Sequence, residues 1–111
     1  MISEDDKWMG RTQLLVGEKG LSALKSANVL IVGLGGVGSY AAEAITRSGI
    51  GNITIVDGDV VDPTNRNRQL PALFSTHGQS KAELMGQRIK EINPSVNLSI
   101  INNFMRIEDM K

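Results

Sequence analysis

The sequence predicts an α/β fold, a doubly wound and mainly parallel sheet, on three observations. The run Asn28-Val29-Leu30-Ile31-Val32 holds four consecutive apolar residues, three of them β-branched, and predicts a strand buried on both faces. A glycine-rich turn, Gly33-Leu34-Gly35-Gly36-Val37-Gly38, follows at once and opens into Ser39-Tyr40-Ala41-Ala42-Glu43-Ala44-Ile45, a run of good helix formers. A second β-branched run, Ile53-Thr54-Ile55-Val56, then ends in Asp57. Strand, helix and strand in that order make one β-α-β unit, expected to be right-handed and parallel.

The other elements take their places around that unit. Met1 to Lys7 is polar and acidic and is expected to fray. Trp8 and Met9 are expected to dock on a surface, the single tryptophan as packing. Arg11 to Lys25 carries Leu14, Leu15 and Leu21 at helical spacing, but Gly17 and Gly20 interrupt it. The expectation is a short helix, a break, and a second short helix from about Glu18 to Lys25. The strand Asn28–Val32 and a helix from about Gly36 to Ser48 follow, with Gly49 where a helix C-cap wants glycine. Beyond Asp57, Asp62-Pro63 suits an N-cap and first helical position, and the stretch to Ser75 reads as loop with one or two helical turns. Ser80 to Ile92 predicts a third helix with Leu84, Met85, Ile89 and Ile92 apolar and Pro94 past its end. Val96 to Ile101 alternates Val96, Leu98 and Ile100 and predicts a third strand. Asn103 to Lys111, with the amphipathic Phe104-Met105-Arg106-Ile107, begins an element that is not completed; Met85, Met105 and Met110 read as packing. Three strands are fewer than a finished doubly wound sheet, so 1–111 reads as the amino-terminal half of a larger domain with a sheet edge that needs cover.

Composition narrows the function classes. The 111 residues suffice for one domain. The 12 basic and 12 acidic residues cancel, so no basic excess advertises nucleic acid, although a local basic patch stays open. The absence of cysteine excludes disulfides and cysteine metal sites. No apolar run approaches the roughly 18 residues of a membrane span, and the acidic start is no signal peptide, so a soluble cytoplasmic protein is expected. There is no internal repeat and no low-complexity segment.

The glycine turn carries the chemistry. Glycines let the backbone bend with positive φ and let a ligand approach without a Cβ in the way. The helix that follows offers unpaired N–H groups and the positive end of a dipole to an anion. Gly33-x-Gly35-x-x-Gly38 fits the Rossmann-like nucleotide fingerprint, and Asp57 falls about 20 residues on, where that fold expects a carboxylate on a ribose hydroxyl. An NAD-dependent dehydrogenase domain uses the same features. Each further residue has a plainer alternative: Asp57 and Asp59 can cap a turn, Arg68 can form a surface salt bridge, and Lys81 can be a solvated first-turn residue. His77, the only histidine, is expected in a solvated loop without a catalytic role.

Several motifs together carry a resemblance. They are Gly33 to Gly38, Asp57-Gly58-Asp59, Asn65-Arg66-Asn67-Arg68-Gln69-Leu70, Gly78-Gln79-Ser80-Lys81 and Ile92-Asn93-Pro94. With them the chain resembles the ThiF, MoeB and HesA family of ubiquitin-activating-like adenylyltransferases, whose bacterial members serve thiamine and molybdopterin biosynthesis. Arg11-Thr12-Gln13-Leu14-Leu15-Val16-Gly17, Ser39 to Ala44 and Arg47-Ser48-Gly49 are most similar to its branch of tRNA threonylcarbamoyladenosine dehydratases. The likeness spans about Arg11 to Pro94.

The resemblance implies ATP-dependent adenylation of a carboxylate, here that of threonylcarbamoyladenosine in tRNA, followed by closure to a cyclic ester-like product. It implies ATP and Mg2+, with the magnesium ligand downstream of this chain, so that 1–111 alone is expected to be inactive. It places Gly33, Gly35, Gly36 and Gly38 at the phosphates, with Gly36 where backbone meets phosphate. Asp57, and less firmly Asp59, would hold the ribose. Arg68 and Lys81 would be the catalytic cations, in polar and accessible positions. Asn65 and Gln69 would bond the phosphates or order the loop. Arg11 matches an arginine that in dimeric relatives reaches into the neighbouring subunit's ATP site, which implies a homodimer. Loss of Asp57 is then expected to weaken ATP binding without lowering stability. The alternative acceptor within the family is the C-terminal glycine of a ubiquitin-like sulfur-carrier protein. A non-catalytic scaffold is a further alternative, disfavoured by Arg68 and Lys81. The Asn65–Gln69 cluster disfavours the dehydrogenase, which has no need of it.

Overall fold

The computed structural model describes residues 4–104. A 3-10 turn over Glu4–Met9 leads into α1 (Gly10–Ser26), β1 (Asn28–Val32), α2 (Gly36–Arg47) and β2 (Asn52–Val56). Two short 3-10 turns, Pro63–Asn65 and Phe74–Thr76, fill the long connection to α3 (Lys81–Ile92), and β3 (Asn97–Ile101) follows. Met105-Arg106-Ile107 and Met110 lie outside the described residues. Within α1 the backbone leaves helical geometry at Gly17, so the expected break and second helix are both present.

The three strands form one parallel sheet in the order β1-β2-β3. Register places Val29, Ile53 and Leu98 side by side, and likewise Ile31, Ile55 and Ile100. Against that face pack Ala42 and Ile45 of α2 and Ala82, Met85 and Ile89 of α3, with Leu24 of α1 at its margin. Full burial of a side chain such as Met85 or Ile89 contributes about 1.5–3 kcal/mol, so this one interface holds sheet and helices together. Met9 docks as expected, 2% exposed.

One expectation is overturned. β1 is an edge strand and is not buried on both faces: Leu30 is 53% exposed and Val32 47%. Both helices pack on the face of Val29 and Ile31, and Leu30 and Val32 alternate to the other side. The strand with the buried character is the central one, β2, whose Ile53, Ile55 and Val56 are at most 1% exposed.

α2 and α3 are also joined at their surface. The Arg88 guanidinium donates to both oxygens of Glu43, the Nη2–Oε2 bond at 3.2 Å, and Arg47 Nε lies 3.7 Å from Glu43 Oε2. The hydrogen bond from Arg88 holds the Glu43 carboxyl below the usual glutamate range against the opposing effect of burial, with the charges of Arg88 and Arg47 adding to it. A carboxyl depressed in the folded state stabilises above its unfolded pKa of about 4.3 and loses that stabilisation as pH falls through the folded value. Thermal melts of native protein and Glu43→Gln should therefore differ at pH 7 and converge as the pH drops below about 4. A constant difference across that range would show that the pair does not stabilise the fold through its charge.

Candidate nucleotide site

The site is built where β1 and β2 end. Gly33 turns the chain out of the sheet with φ 91°, a conformation that L side chains rarely adopt. Its N–H still bonds Val56 O at 2.8 Å, extending the ladder to β2 by one step. α2 then returns so close to the turn that a Cβ on Gly38 would fall 1.8 Å from Gly33 O. The chain's own geometry demands these two glycines. Gly35 and Gly36 differ. A Cβ there would make only ordinary contacts, at 3.7 Å from Gln69 Nε2 and from the Arg68 methylenes respectively.

The start of α2 lies open to an anion. Its N-cap is Gly35, no side chain caps it, and its first turn holds no acid. α3 shows the contrast: the Ser80 hydroxyl accepts from the Glu83 N–H at 3.2 Å, and Glu83 is acidic in the first turn. The amides and dipole of α2 thus lack the anionic complement that α3 supplies to itself.

Asp57 ties the turn to the sheet. Its Oδ2 accepts from the Leu34 N–H at 2.6 Å and its Oδ1 from the Asp59 N–H at 2.7 Å. The carboxylate is buried, 8% exposed, yet its two oxygens keep lone pairs beyond these bonds. It opens on a cleft of about 220 Å³ lined by Val32, Gly33, Val56, Asp59 and Phe104. Two backbone donors depend on it, which argues against the expectation that its loss spares stability. A second cleft, about 310 Å³, lies at the amino ends of the strands between Trp8, Met9, Gly49, Gly51 and the Asp6–Lys25 ion pair, far from this chemistry.

The loop after β2 supplies the remaining side chains. Asn65 is buried, and its Oδ1 accepts from the Asp62 N–H at 2.9 Å while Asp62 accepts from the Thr64 N–H at 2.9 Å. Asn65 therefore orders the loop, the second of its two expected roles. The Thr64 hydroxyl, and after it the Thr64 amide, hold the Asp62 carboxyl below its ordinary range. Gln69 is buried beside Gly35, and its Oε1 has no hydrogen-bond partner among the described residues. Arg68 lays its stem over Gly36 and keeps its head exposed, donating from Nη1 to Thr64 O at 3.1 Å and Asn67 Oδ1 at 3.0 Å.

Lys81 is not accessible, as it was expected to be; it is 5% exposed. Its amide bonds Asp59 O at 3.1 Å, and an antiparallel bridge pairs Val60 with Ser80. These contacts press the start of α3 against the loop, which covers the lysine. Its Nζ lies 4.0 Å from Asp59 Oδ2, the one carboxylate oxygen within ion-pair range among the described residues. That distance is too long for a hydrogen bond, so a nearly buried ammonium is left incompletely paired. His77 is half-buried against Phe74, not solvated, and its Nε2 has no hydrogen-bond partner among the described residues.

The structure thus joins Gly33, Gly35, Gly36, Gly38, Asp57, Asp59, Arg68, Gln69 and Lys81 through direct contacts, with Asn65 as internal support. It does not bring Arg11 to them; Arg11 lies exposed near the start of α1. Sequence reasoning missed Ser39. This residue is fully buried, donates to Gly35 O and accepts from the Leu70 N–H at 3.2 Å, so it fastens the glycine turn to the Arg68-Gln69-Leu70 segment. Its signal was a hydroxyl in the same helical row as Ala42 and Thr46, the other buried residues of α2.

Comparison with known proteins agrees with this geometry. The ThiF family profile matches residues 10–111. The chain is 52% identical over 94 residues to tRNA threonylcarbamoyladenosine dehydratase of Bacillus subtilis, covering 85% of this chain and 37% of that protein. It is 40% identical over 83 residues to molybdopterin-synthase adenylyltransferase of Escherichia coli, covering 75% of this chain and 33% of that protein. A crystal structure of the E. coli tRNA N6-threonylcarbamoyladenosine dehydratase TcdA in complex with ATP superposes with a TM-score of 0.92 at 44% identity, covering 98% of this chain and 45% of that one. The chain spans less than half the length of these relatives.

Replacing Asp57 by Ala strands the amides of Leu34 and Asp59. Each buried donor left unsatisfied costs about 1–3 kcal/mol. Urea denaturation of Asp57→Ala should show a clearly lowered midpoint in the absence of nucleotide; an unchanged midpoint would mean that the two bonds contribute nothing to folding.

Proposed function

This chain belongs to the ThiF family, and from that premise we propose that the whole protein uses ATP to adenylate a carboxylate. The observation that carries the reading is a set of positive groups without a matching anion. The uncapped start of α2 lies under Arg68, and the incompletely paired Lys81 is linked to it through Asp59 and Asp57. ATP brings about four negative charges to such a place. Asp57 holds the ribose, Gly35 and Gly36 let the phosphates approach the backbone, and Arg68 and Lys81 neutralise charge in the transition state. Gln69, with its free Oε1, completes the wall beside Gly35. A carboxylate oxygen of the acceptor forms a bond to the α-phosphorus, the bond from that phosphorus to the pyrophosphate breaks, and pyrophosphate leaves with its electron pair. Holding the reactants in line supplies most of the catalysis. Mg2+, when bound, offsets charge on the phosphates. No cluster of three metal-ligating side chains occurs among the described residues, and we place its ligand beyond residue 111.

The acceptor we assign is threonylcarbamoyladenosine in tRNA, on the higher identity to the dehydratases than to the molybdopterin-synthase adenylyltransferase. Residues 1–111 are then the amino-terminal portion of a larger ATP-binding domain that acts in the cytoplasm. No described helix is long and apolar enough to cross a membrane. Hydride transfer to NAD finds no support in the Asn65–Gln69 cluster. The protein is proposed to be a homodimer with Arg11 directed at the partner's phosphates. The support is an exposed α1 face on which Leu14 and Leu15, 87% and 86% exposed, lie one turn beyond Arg11.

Adenylation is reversible, so intact protein, ATP, acceptor and labelled pyrophosphate should regenerate labelled ATP. Exchange is expected with tRNA bearing threonylcarbamoyladenosine and not with unmodified tRNA. Arg68→Ala, and Lys81→Met to keep the buried stem, should each lower it by about 10²–10³-fold. Exchange that survives both changes would mean the cations are misassigned; exchange with a sulfur-carrier protein instead of tRNA would move the protein to the other branch. Light scattering at micromolar concentration should give a dimer, and a monomer in the presence of ATP would overturn the role of Arg11.

A further inference from the structure

The connection between β2 and α3 carries side chains that the nucleotide site does not use. From Pro63 to Ala82 it holds no carboxylate, yet it holds Arg66, Arg68 and Lys81 together with His77, in a chain whose net charge is zero. In its middle Phe74 is 81% exposed, with Leu73 beside it 56% exposed. The Arg66 guanidinium lies 5.8 Å from the centre of the Phe74 ring, and the His77 ring meets it edge-on at 5.9 Å. The platform is ordered from below. The Thr76 hydroxyl accepts from the Leu73 N–H at 2.8 Å and donates to Pro71 O at 2.7 Å, and the Gly78 N–H and the Val61 N–H make 2.8 Å bonds across to Val61 O and Gln79 O. An aromatic ring fixed in water adds little to folding, and a ring with an arginine beside it is shaped for an anionic partner that also offers a flat face. Single-stranded RNA has both: phosphates for the cations and unstacked bases for the ring. The patch adjoins the nucleotide site along the chain: Arg66 is two residues from Arg68, and the Val61–Gln79 bond leads into Ser80 and Lys81.

We infer that Arg66, Phe74 and His77 form a docking surface for a single-stranded stretch of RNA, Phe74 stacking on a base near the nucleoside to be adenylated and Arg66 meeting an adjoining phosphate. This rests on tRNA being the acceptor. A carrier protein would also meet an aromatic ring and an arginine, but a stretch that holds Arg66 and Arg68 and no carboxylate between Asp62 and Glu83 matches a phosphate backbone better.

Fluorescence anisotropy of the full-length protein with labelled tRNA bearing threonylcarbamoyladenosine, over a salt series, tests it. Phe74→Ala should weaken binding about five- to a hundredfold, as expected for one base–aromatic stack, and Phe74→Trp should restore it. Arg66→Ala should weaken binding and reduce the slope of log affinity against log salt by about 1. Melting temperatures of all three variants report on folding. If the unaltered protein binds tRNA and none of the variants changes the affinity or the slope, the surface is misassigned while the acceptor stands. If the unaltered protein binds no tRNA, and Phe74→Ala weakens its complex with a sulfur-carrier protein, both this inference and the choice of acceptor fall.

Discussion

One buried carboxylate connects the parts of the site. Asp57 closes β2 and accepts backbone hydrogen bonds from Leu34 in the glycine turn and Asp59 in the following loop. Charge-assisted bonds of this kind are stronger than neutral ones, and burial strengthens them further. Through Leu34 the carboxylate sets the path of the turn, and with it where the amides at the start of α2 point. Through Asp59 it sets the loop against which α3 begins, and so the place of Lys81. The carboxylate proposed for the ribose also holds its own backbone, so the candidate site is partly assembled by the chain itself.

The glycines of the turn divide by physical cause. Gly33 and Gly38 answer to the chain: one by its positive φ, the other by the approach of α2 to Gly33 O. Gly35 and Gly36 have ordinary clearance from Gln69 and Arg68, so nothing in the contacts of this chain requires them to lack a side chain. The fingerprint therefore mixes a packing requirement with openings toward a ligand. Ser39 belongs with the first pair, because its hydroxyl bridges the turn and the Leu70 amide.

Electrostatics divides Arg68 and Lys81, the two cations proposed for the phosphates, in a similar way. Arg68 keeps its head in water and anchors its stem on Gly36. Lys81 is enclosed by the loop that pins the start of α3, and the nearest carboxylate oxygen stands off at 4.0 Å. A nearly buried ammonium with one distant partner gains more from an arriving phosphate than a solvated one does, because water already serves the solvated one. This asymmetry is what an anion site requires, and it arises from burial that no local pattern in the residues announces.

The sequence by itself determined the elements and the order in which the residues of the candidate site follow one another. The β-branched runs, the glycine turn, Gly17, Asp62-Pro63 and Pro94 act through local sterics, and the elements from α1 onward lie within a residue or two of where those signals put them, whereas Glu4–Met9 forms a 3-10 turn where fraying was expected. The spacing from the glycines to Asp57 was legible for the same reason, since one β-α-β unit has a nearly constant length. Only the tertiary structure decided which strand is central, that Lys81 is buried, that Asn65 serves the loop and that Asp57 supports the backbone. Those outcomes depend on which face of a strand meets a helix and which amide comes to lie opposite a carboxylate. Contacts between residues such as Leu34 and Asp57 leave no periodicity in the chain, so they are settled only when the sheet and its helices close on one another.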